Sequence, residues 1–167
     1  MLVVGAVMTT SGHDVMVELR LLDATGAPIT VSIDGGRPIQ LSSVAVETPD
    51  AGVKVRLWPG RHELIATAAD GTRLDVRTER FVAGGTYLYV PASVEQCFWV
   101  QHDAYGETRA TLPPMAELEA GRPIHHLPGD VDAWFVPNPP PSTVDRRSSG
   151  GTRTAVRMAR CGLSPWR

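Results

Sequence analysis

The chain has 167 residues, a net charge of −2, 43% hydrophobic residues and 20% charged residues. This composition is typical of a folded globular protein, and the near-neutral charge argues against steering to nucleic acid or to an anionic membrane. No apolar run of about 18 residues or more is present, so no membrane span is expected. The 16 glycines and 14 prolines predict many turns and few long helices.

The N-terminal residues 1–15 are apolar over about seven positions only and have no basic leading segment. This pattern favours a first strand over a signal peptide. It predicts a cytoplasmic protein if Met1 is the true start, and an exported one if translation starts elsewhere. The basic residues are almost all arginines, with Lys54 the only lysine, which indicates a GC-rich and therefore bacterial genome.

Apolar and polar residues alternate repeatedly along the first two-thirds of the chain. In residues 15–23, Val17 and Leu19 fall on one face and Glu18 on the other, which predicts a half-buried strand. Similar runs predict further strands over residues 29–33, 38–47, 53–58, 62–67, 73–82, 83–92 and 95–106.

Short turn motifs separate these strands. Asp34-Gly35 and Asp70-Gly71 tolerate the positive φ of tight turns, and Pro59-Gly60 suits a type II turn. The strands on either side of Pro59-Gly60 and Asp70-Gly71 are therefore predicted to form an antiparallel meander over residues 53–82. No catalytic role is needed to explain these glycines and the proline.

The chain changes character after Gly106. Residues 114–121 suggest one short helical turn, and residues 137–151 suggest an extended proline-rich excursion. Strands are predicted over residues 130–137 and 152–161.

These patterns predict an all-β protein, an antiparallel β-sandwich of about seven to nine strands. Residues 1–111 form its core, and residues 112–167 form an irregular, loop-rich extension, rich in proline and arginine, that packs back on the core.

Two short elements resemble those of PEGA-type β-sandwich modules, which carry V-x-I-D-G and later L-x-P-G-x-H-x-L. The matching residues are Val31, Ile33, Asp34, Gly35, Leu57, Pro59, Gly60, His62 and Leu64. The likeness covers roughly residues 28–90 and extends more loosely to the carboxypeptidase-regulatory-like and transthyretin-like folds. It implies a non-catalytic accessory or surface-associated domain. Transthyretin-like hydrolases end in Tyr-Arg-Gly-Ser, whereas this chain ends in LSPWR, so their activity is not carried over.

Trp58 and His62 flank the Pro59-Gly60 turn and are candidate binding residues. Trp58 alternates away from Val53 and Val55, so it is expected on the outer face, where an indole can anchor a sugar or a protein partner. His62 can act as a ligand, but it more commonly packs its ring at the edge of a sandwich.

The C-terminal stretch from residue 146 carries arginines and no acidic residue, and this predicts a local basic patch. Its members are Arg146, Arg147, Arg153, Arg157, Arg160 and Arg167. Such a patch suits an acidic partner, RNA or lipid headgroups. Only Trp166 is interleaved with the arginines, so stacking on single-stranded nucleic acid is poorly supported and no nucleic acid is expected.

Cys97 and Cys161 lack metal-binding spacing and could form a disulfide in an exported protein, whereas two buried thiols are expected otherwise. A nucleophilic Cys97 with His102 as base and Asp103 as orienter is disfavoured. Cys97 lies in an apolar run, and strand parity places His102 on the opposite face.

His125 and His126, with Asp130 and Asp132 nearby, offer metal-ligand chemistry. Adjacent residues of an extended segment point in opposite directions, so a solvated loop is the favoured interpretation and no metal is expected.

The sequence therefore predicts a non-catalytic accessory or protein–protein interaction module without a cofactor, whose partner is another protein. A carbohydrate-binding module is the alternative, and a small hydrolase using Cys97 or residues 125–132 is a third.

Overall fold

The computed structural model describes residues 15–42, 48–92, 95–105, 111–135 and 151–162. These ranges contain strands and no helix, which confirms the all-β class. The strands are, in chain order, β1 Val17–Leu21, β2 Ile29–Ile33, β3 Ile39–Leu41, β4 Val53–Leu57, β5 Gly60–Ala68, β6 Arg73–Phe81, β7 Thr86–Tyr89, β8 Gln96–Tyr105, β9 Ala116–Glu117, β10 Ile124–Leu127, β11 Ala133–Trp134 and β12 Gly151–Arg160. The predicted N-terminal strand up to residue 14, the end of the predicted strand 38–47 and the proline-rich excursion up to residue 150 lie outside the described residues.

The strands of the described ranges form three four-stranded sheets. The first has the order β10-β7-β1-β4, the second β3-β2-β5-β6, and the third β11-β12-β8-β9. Neighbouring strands are antiparallel, except that β1 runs parallel to β7 and β11 runs parallel to β12. The C-terminal strands therefore complete the sheets, because β10 pairs with β7 and β12 pairs with β8 over ten residues.

The first sheet has a hydrophobic core on each of its faces. Tyr87 and Tyr89 of β7 enter a core shared with β2 and β5, whereas Leu88 and the adjoining Val90 enter a core shared with β8 and β12. All four residues of β7 are buried. A strand covered on both faces belongs to the interior of the molecule.

β1 is also buried on both faces, although alternation predicts one polar face for this strand. Arg20 is only 8% exposed, and its guanidinium lies 4.8 Å from the ring centre of Trp134 on β11. Its Nη1 donates a hydrogen bond to the Asp50 carbonyl at 3.2 Å. An arginine is accommodated here because an aromatic face and a backbone oxygen replace part of its hydration.

The predicted meander over residues 53–82 is correct for β5 and β6 but wrong for β4. β5 and β6 form an antiparallel hairpin, closed by a hydrogen bond from the Gly71 N–H to the Ala68 carbonyl. β4 instead pairs with β1, and β5 pairs with β2 in another sheet. Pro59-Gly60 therefore connects two sheets, and the φ of 144° at Gly60 departs from the value near +80° of a type II turn.

The helical turn predicted over residues 114–121 is wrong. Ala116 and Glu117 form β9, which pairs with Val100 and Trp99 of β8. The Leu118 N–H then donates to the Phe98 carbonyl at 2.8 Å. A segment this short gains little from helix formation, so pairing with a neighbouring strand decides its conformation.

Candidate functional site

Trp58 lies in the connection between β4 and β5, where the chain passes from the first sheet to the second. Its side chain is 66% exposed, as the alternation of β4 predicts. Among the large apolar side chains that the structure describes, it is the sole exposed aromatic one. We call this region, residues 58–62 together with Asp34, the Trp58 corner.

The backbone of the corner is held by a bridge between Asp34 and His62. The His62 Nδ1 lies 2.6 Å from the Asp34 Oδ2, and its Nε2 lies 2.8 Å from the Trp58 carbonyl oxygen. The Asp34 Oδ1 accepts a hydrogen bond from the Glu63 N–H at 2.9 Å. The imidazole ring also packs against Phe81, with 5.8 Å between ring centres. His62 thus packs its ring against Phe81 and fixes the peptide that carries Trp58.

Two features of the local sequence make this bridge possible. Asp34 has a φ of 51°, a conformation that aspartate tolerates, and the Ile33 carbonyl accepts from the Gly36 N–H across the turn. β5 pairs with β2 so that Ile33 lies opposite Leu64, which brings Asp34 beside His62 and Glu63. Sequence reasoning treated Asp34 only as a turn residue, and its pairing with His62 depends on strand register.

The bridge shifts the pKa values of both partners in favour of their charged forms. Burial lowers the pKa of His62, but the hydrogen bonds to Asp34 and to the Trp58 carbonyl outweigh that effect, so the pKa is raised from 6.5. The hydrogen bond from His62, with that from the Glu63 N–H, lowers the pKa of Asp34 from 3.8. The corner is therefore held by an ion pair while His62 is protonated.

Two further exposed apolar side chains lie at the same end of the strands as Trp58. Val15 precedes β1, whose Val17 pairs with Leu57, and it is 39% exposed. Val82 follows Phe81, which pairs with Gly60, and it is 49% exposed.

A cleft of about 350 Å³ opens at this end of the first sheet. Its lining residues are Met16, Val17, Glu18, Arg56, Gly84, Gly85, Thr86 and Asp130. Glu18 pairs with Lys54 at 2.5 Å and lies opposite Arg56 in the ladder. The cleft thus presents both signs of charge beside exposed apolar side chains.

A second cleft, of about 280 Å³, lies where β7 ends and where β8 and β10 begin. His125, Gln96, Arg122 and Pro123 are among its lining residues. His125 is 8% exposed. Burial, with the charge of Arg122, lowers the pKa of His125 from 6.5 and so disfavours its protonated form.

The solvated loop predicted for His125 and His126 is wrong, because both lie in β10. They point to opposite faces of the strand, as predicted: His126 is exposed and stacks on Tyr87 with 4.6 Å between ring centres. In the described ranges, no group of three or more His, Cys, Asp or Glu residues is placed to hold a metal ion.

Cys97 and Cys161 form a disulfide, which is the alternative that the sequence predicts for an exported protein. β8 and β12 place Cys97 opposite Ala159, and the two Cα atoms of the disulfide are 4.9 Å apart. Cys97 is therefore not available as a nucleophile. His102 contacts the Thr154 hydroxyl at 3.1 Å on the other face of β8, so the Cys97–His102–Asp103 arrangement does not form.

The three described arginines of the predicted basic patch do not share a surface. Arg157 is 2% exposed and donates from Nε to the Gln101 side-chain oxygen. Arg153 lies 3.5 Å from Asp103, and only Arg160 is exposed. Arg157 is therefore covered rather than part of a surface patch, because residues 155–158 of β12 are buried on both faces of the strand. A binding role for Arg153 and Arg160 stays a prediction. Arg146, Arg147 and Arg167 lie outside the described residues.

The chain matches no protein-family model, and comparisons with curated proteins and with solved structures found no match. The resemblance to PEGA-type modules therefore stays a prediction. Within the described ranges, no helix is long and apolar enough to cross a membrane.

Proposed function

We propose that this chain is a non-catalytic protein-interaction module and that its docking surface is the Trp58 corner. The observation that carries the proposal is an indole left 66% exposed on a backbone that a histidine–aspartate bridge holds in place. Burial of the indole against a partner removes a large apolar area from water, and tryptophan is enriched at interaction hot spots.

Because the backbone of the Trp58 corner is already ordered, the corner loses less conformational entropy when a partner binds. Side chains presented by ordered segments lose less conformational freedom when a complex forms. Val15 and Val82 extend the apolar area, and the adjoining cleft supplies charged groups for a polar rim. An apolar centre with a polar border is the usual anatomy of a protein–protein interface.

Carbohydrate binding is the weaker alternative. A flat sugar-binding platform requires coplanar exposed aromatic rings, and the described side chains supply Trp58 without a second exposed aromatic beside it. Hydrolysis by Cys97 is disfavoured by the disulfide, since a thiolate is the nucleophile in such enzymes.

The disulfide also bears on where the module acts. Structural disulfides form and persist mainly in oxidising compartments. The Cys97–Cys161 bond therefore favours the exported alternative over the cytoplasmic one.

The test is affinity capture by the full chain, followed by titration of the captured protein. We expect Trp58→Ala to weaken binding of that protein by about 30-fold, which corresponds to about 2 kcal/mol. Leu74→Ala is the matched control, because Leu74 is also exposed but lies at the other end of β6.

Equal binding by wild type, Trp58→Ala and Leu74→Ala would exclude the corner as the docking surface. A glycan array run beside the capture distinguishes the alternative. Saturable binding of a sugar that Trp58→Ala abolishes would replace the protein-interaction proposal with carbohydrate recognition.

A further inference from the structure

β6 is the last strand of the second sheet, and its outer edge is not paired with any described strand. It is nine residues long, and Val76 on it is 51% exposed. An edge strand of this length offers a row of free N–H and C=O groups to another strand. The residues along this edge show which partner strand fits it.

A bulge limits the regular part of β6. Ala66 pairs with Asp75 and Thr67 pairs with Arg73, so Leu74 is an extra residue without a partner on β5. Bulges end regular pairing. The regular segment therefore runs from Asp75 to Phe81, and its middle residue is Thr78.

The charges of this segment fit a second copy of itself. If two β6 strands pair antiparallel with Thr78 opposite Thr78, each Arg77 faces Glu79 of the other copy. If the two-fold axis passed through Arg77 or Glu79 instead, that residue would lie opposite the same residue of the second copy. The two facing side chains would then carry like charges. Unlike charges directly across two strands are stabilising and like charges are destabilising. The charge pattern and the position of the bulge therefore both favour the register in which Thr78 lies opposite Thr78.

The charged side chains of β6 keep donor and acceptor groups for these contacts. Among the described residues, the Glu79 carboxylate forms no ion pair; its Oε1 accepts from the Arg80 N–H at 3.4 Å, which leaves Oε2. Arg77 binds Asp75 through Nε and Nη2 and does not use Nη1. In the Thr78-centred register Val76 lies opposite Arg80 of the second copy, whose aliphatic stem covers the exposed valine.

We propose that two copies of this chain associate through β6, in antiparallel pairing with Thr78 on the two-fold axis. The second sheets of both copies then form one continuous sheet. The interface is isologous and does not involve the Trp58 corner, so it stands independently of the proposed function.

Sedimentation velocity of the full chain over a wide concentration range tests the association. We expect a monomer–dimer equilibrium that Glu79→Arg weakens by roughly tenfold or more, because two unlike charge pairs become like pairs. Glu63→Arg is the matched control. Glu63 lies on β5, where it pairs with Thr78 of β6, so this variant makes the same charge change one strand away from the proposed interface. A monomer at every concentration, or equal weakening by both variants, would overturn the proposal.

Cross-linking tests the register. With the native cysteines held in their disulfide, a short bismaleimide should link two copies of Thr78→Cys efficiently and two copies of Val76→Cys poorly. The reverse result contradicts the Thr78-centred register, and loss of the dimer in Trp58→Ala would assign the dimer contact to the corner instead.

Discussion

The Trp58 corner and strand β12 were both predicted as binding surfaces, and the structure separates them. At the corner the chain leaves one sheet for another, and the indole of Trp58 stays 66% exposed. On β12 the strand lies between β11 and β8, and four consecutive residues, Ala155 to Met158, are buried. Both faces of the middle of β12 are covered, whereas Thr152 and Arg160 near its ends stay exposed. Coverage of the strand's faces by neighbouring layers therefore decides exposure more than residue type does.

Arg157 and His62 also differ in the surroundings in which their hydrogen bonds are made. Arg157 is buried and bonded to Gln101, whereas His62 is bound to Asp34 at the molecular surface. Hydrogen bonds in the interior are stronger and their loss is more damaging, because the remaining partner stays unsolvated. Substitutions on β12 should therefore affect stability most, and substitutions at the corner should affect recognition.

The largest expected effect is removal of the disulfide that ties β12 to β8. Replacing Cys97 and Cys161 by alanine should lower the free energy of unfolding by about 4 kcal/mol, from the loop entropy of a 64-residue separation. Urea unfolding of wild type and the double variant measures this difference. Addition of a reductant should destabilise wild type and leave the variant unchanged, and equal responses would contradict the disulfide.

Arg157→Ala should destabilise the fold by about 3 kcal/mol, because it removes a buried charged hydrogen bond and leaves a cavity. Arg160→Ala, three positions along the same strand, should change stability by less than about 0.5 kcal/mol because Arg160 is exposed. Thermal unfolding of the two variants tests the contrast. Similar losses in both would indicate that the two arginines have the same environment.

His62→Gln should lower stability by less than about 1 kcal/mol, since the bridge lies at the surface. The pKa of His62 is raised, so its contribution is complete below pH 6.5 and is lost as pH rises through the folded-state pKa. The pKa of Asp34 is lowered, so its contribution is complete above pH 3.8 and is lost as pH falls through its folded-state pKa.

The difference between wild type and His62→Gln should therefore be largest between pH 3.8 and 6.5 and smaller at alkaline pH. Chemical denaturation across this range measures it. Asp34→Asn should remove the same pH dependence, and a difference independent of pH would show that packing on Phe81 is the whole contribution of His62.

The smallest expected effect on stability is that of Trp58→Ala, below about 0.5 kcal/mol, because the indole is largely solvated. In a Trp166→Phe background, the same substitution should remove much of the tryptophan fluorescence that acrylamide quenches, since Trp99 and Trp134 are only 7% and 3% exposed. Quenching unchanged by the substitution would place Trp58 in a covered position and remove the basis for the docking surface.

The strands were predictable because their residues alternate, and the hairpin between β5 and β6 was predictable because Asp70-Gly71 supplies its turn. The exposure of Trp58 followed from the alternation of β4. The pairing of Cys97 with Cys161 and the burial of Arg157 against Gln101 did not follow. Both depend on the register between β8 and β12, and these residue pairs are 64 and 56 positions apart in the chain. Local patterns contain no information about such long-range registers.

The sequence by itself determined that this protein is all-β, where most of its strands lie and which side of β4 faces water. These are local properties, because period-two hydropathy and turn residues act over a few neighbouring positions. Only the tertiary structure decided that β4 and β5 belong to different sheets, that Asp34 meets His62 and that Arg157 of β12 is buried. The physical reason is that alternation fixes the two faces of a strand but not the strand that pairs with its edge or the layer that covers it.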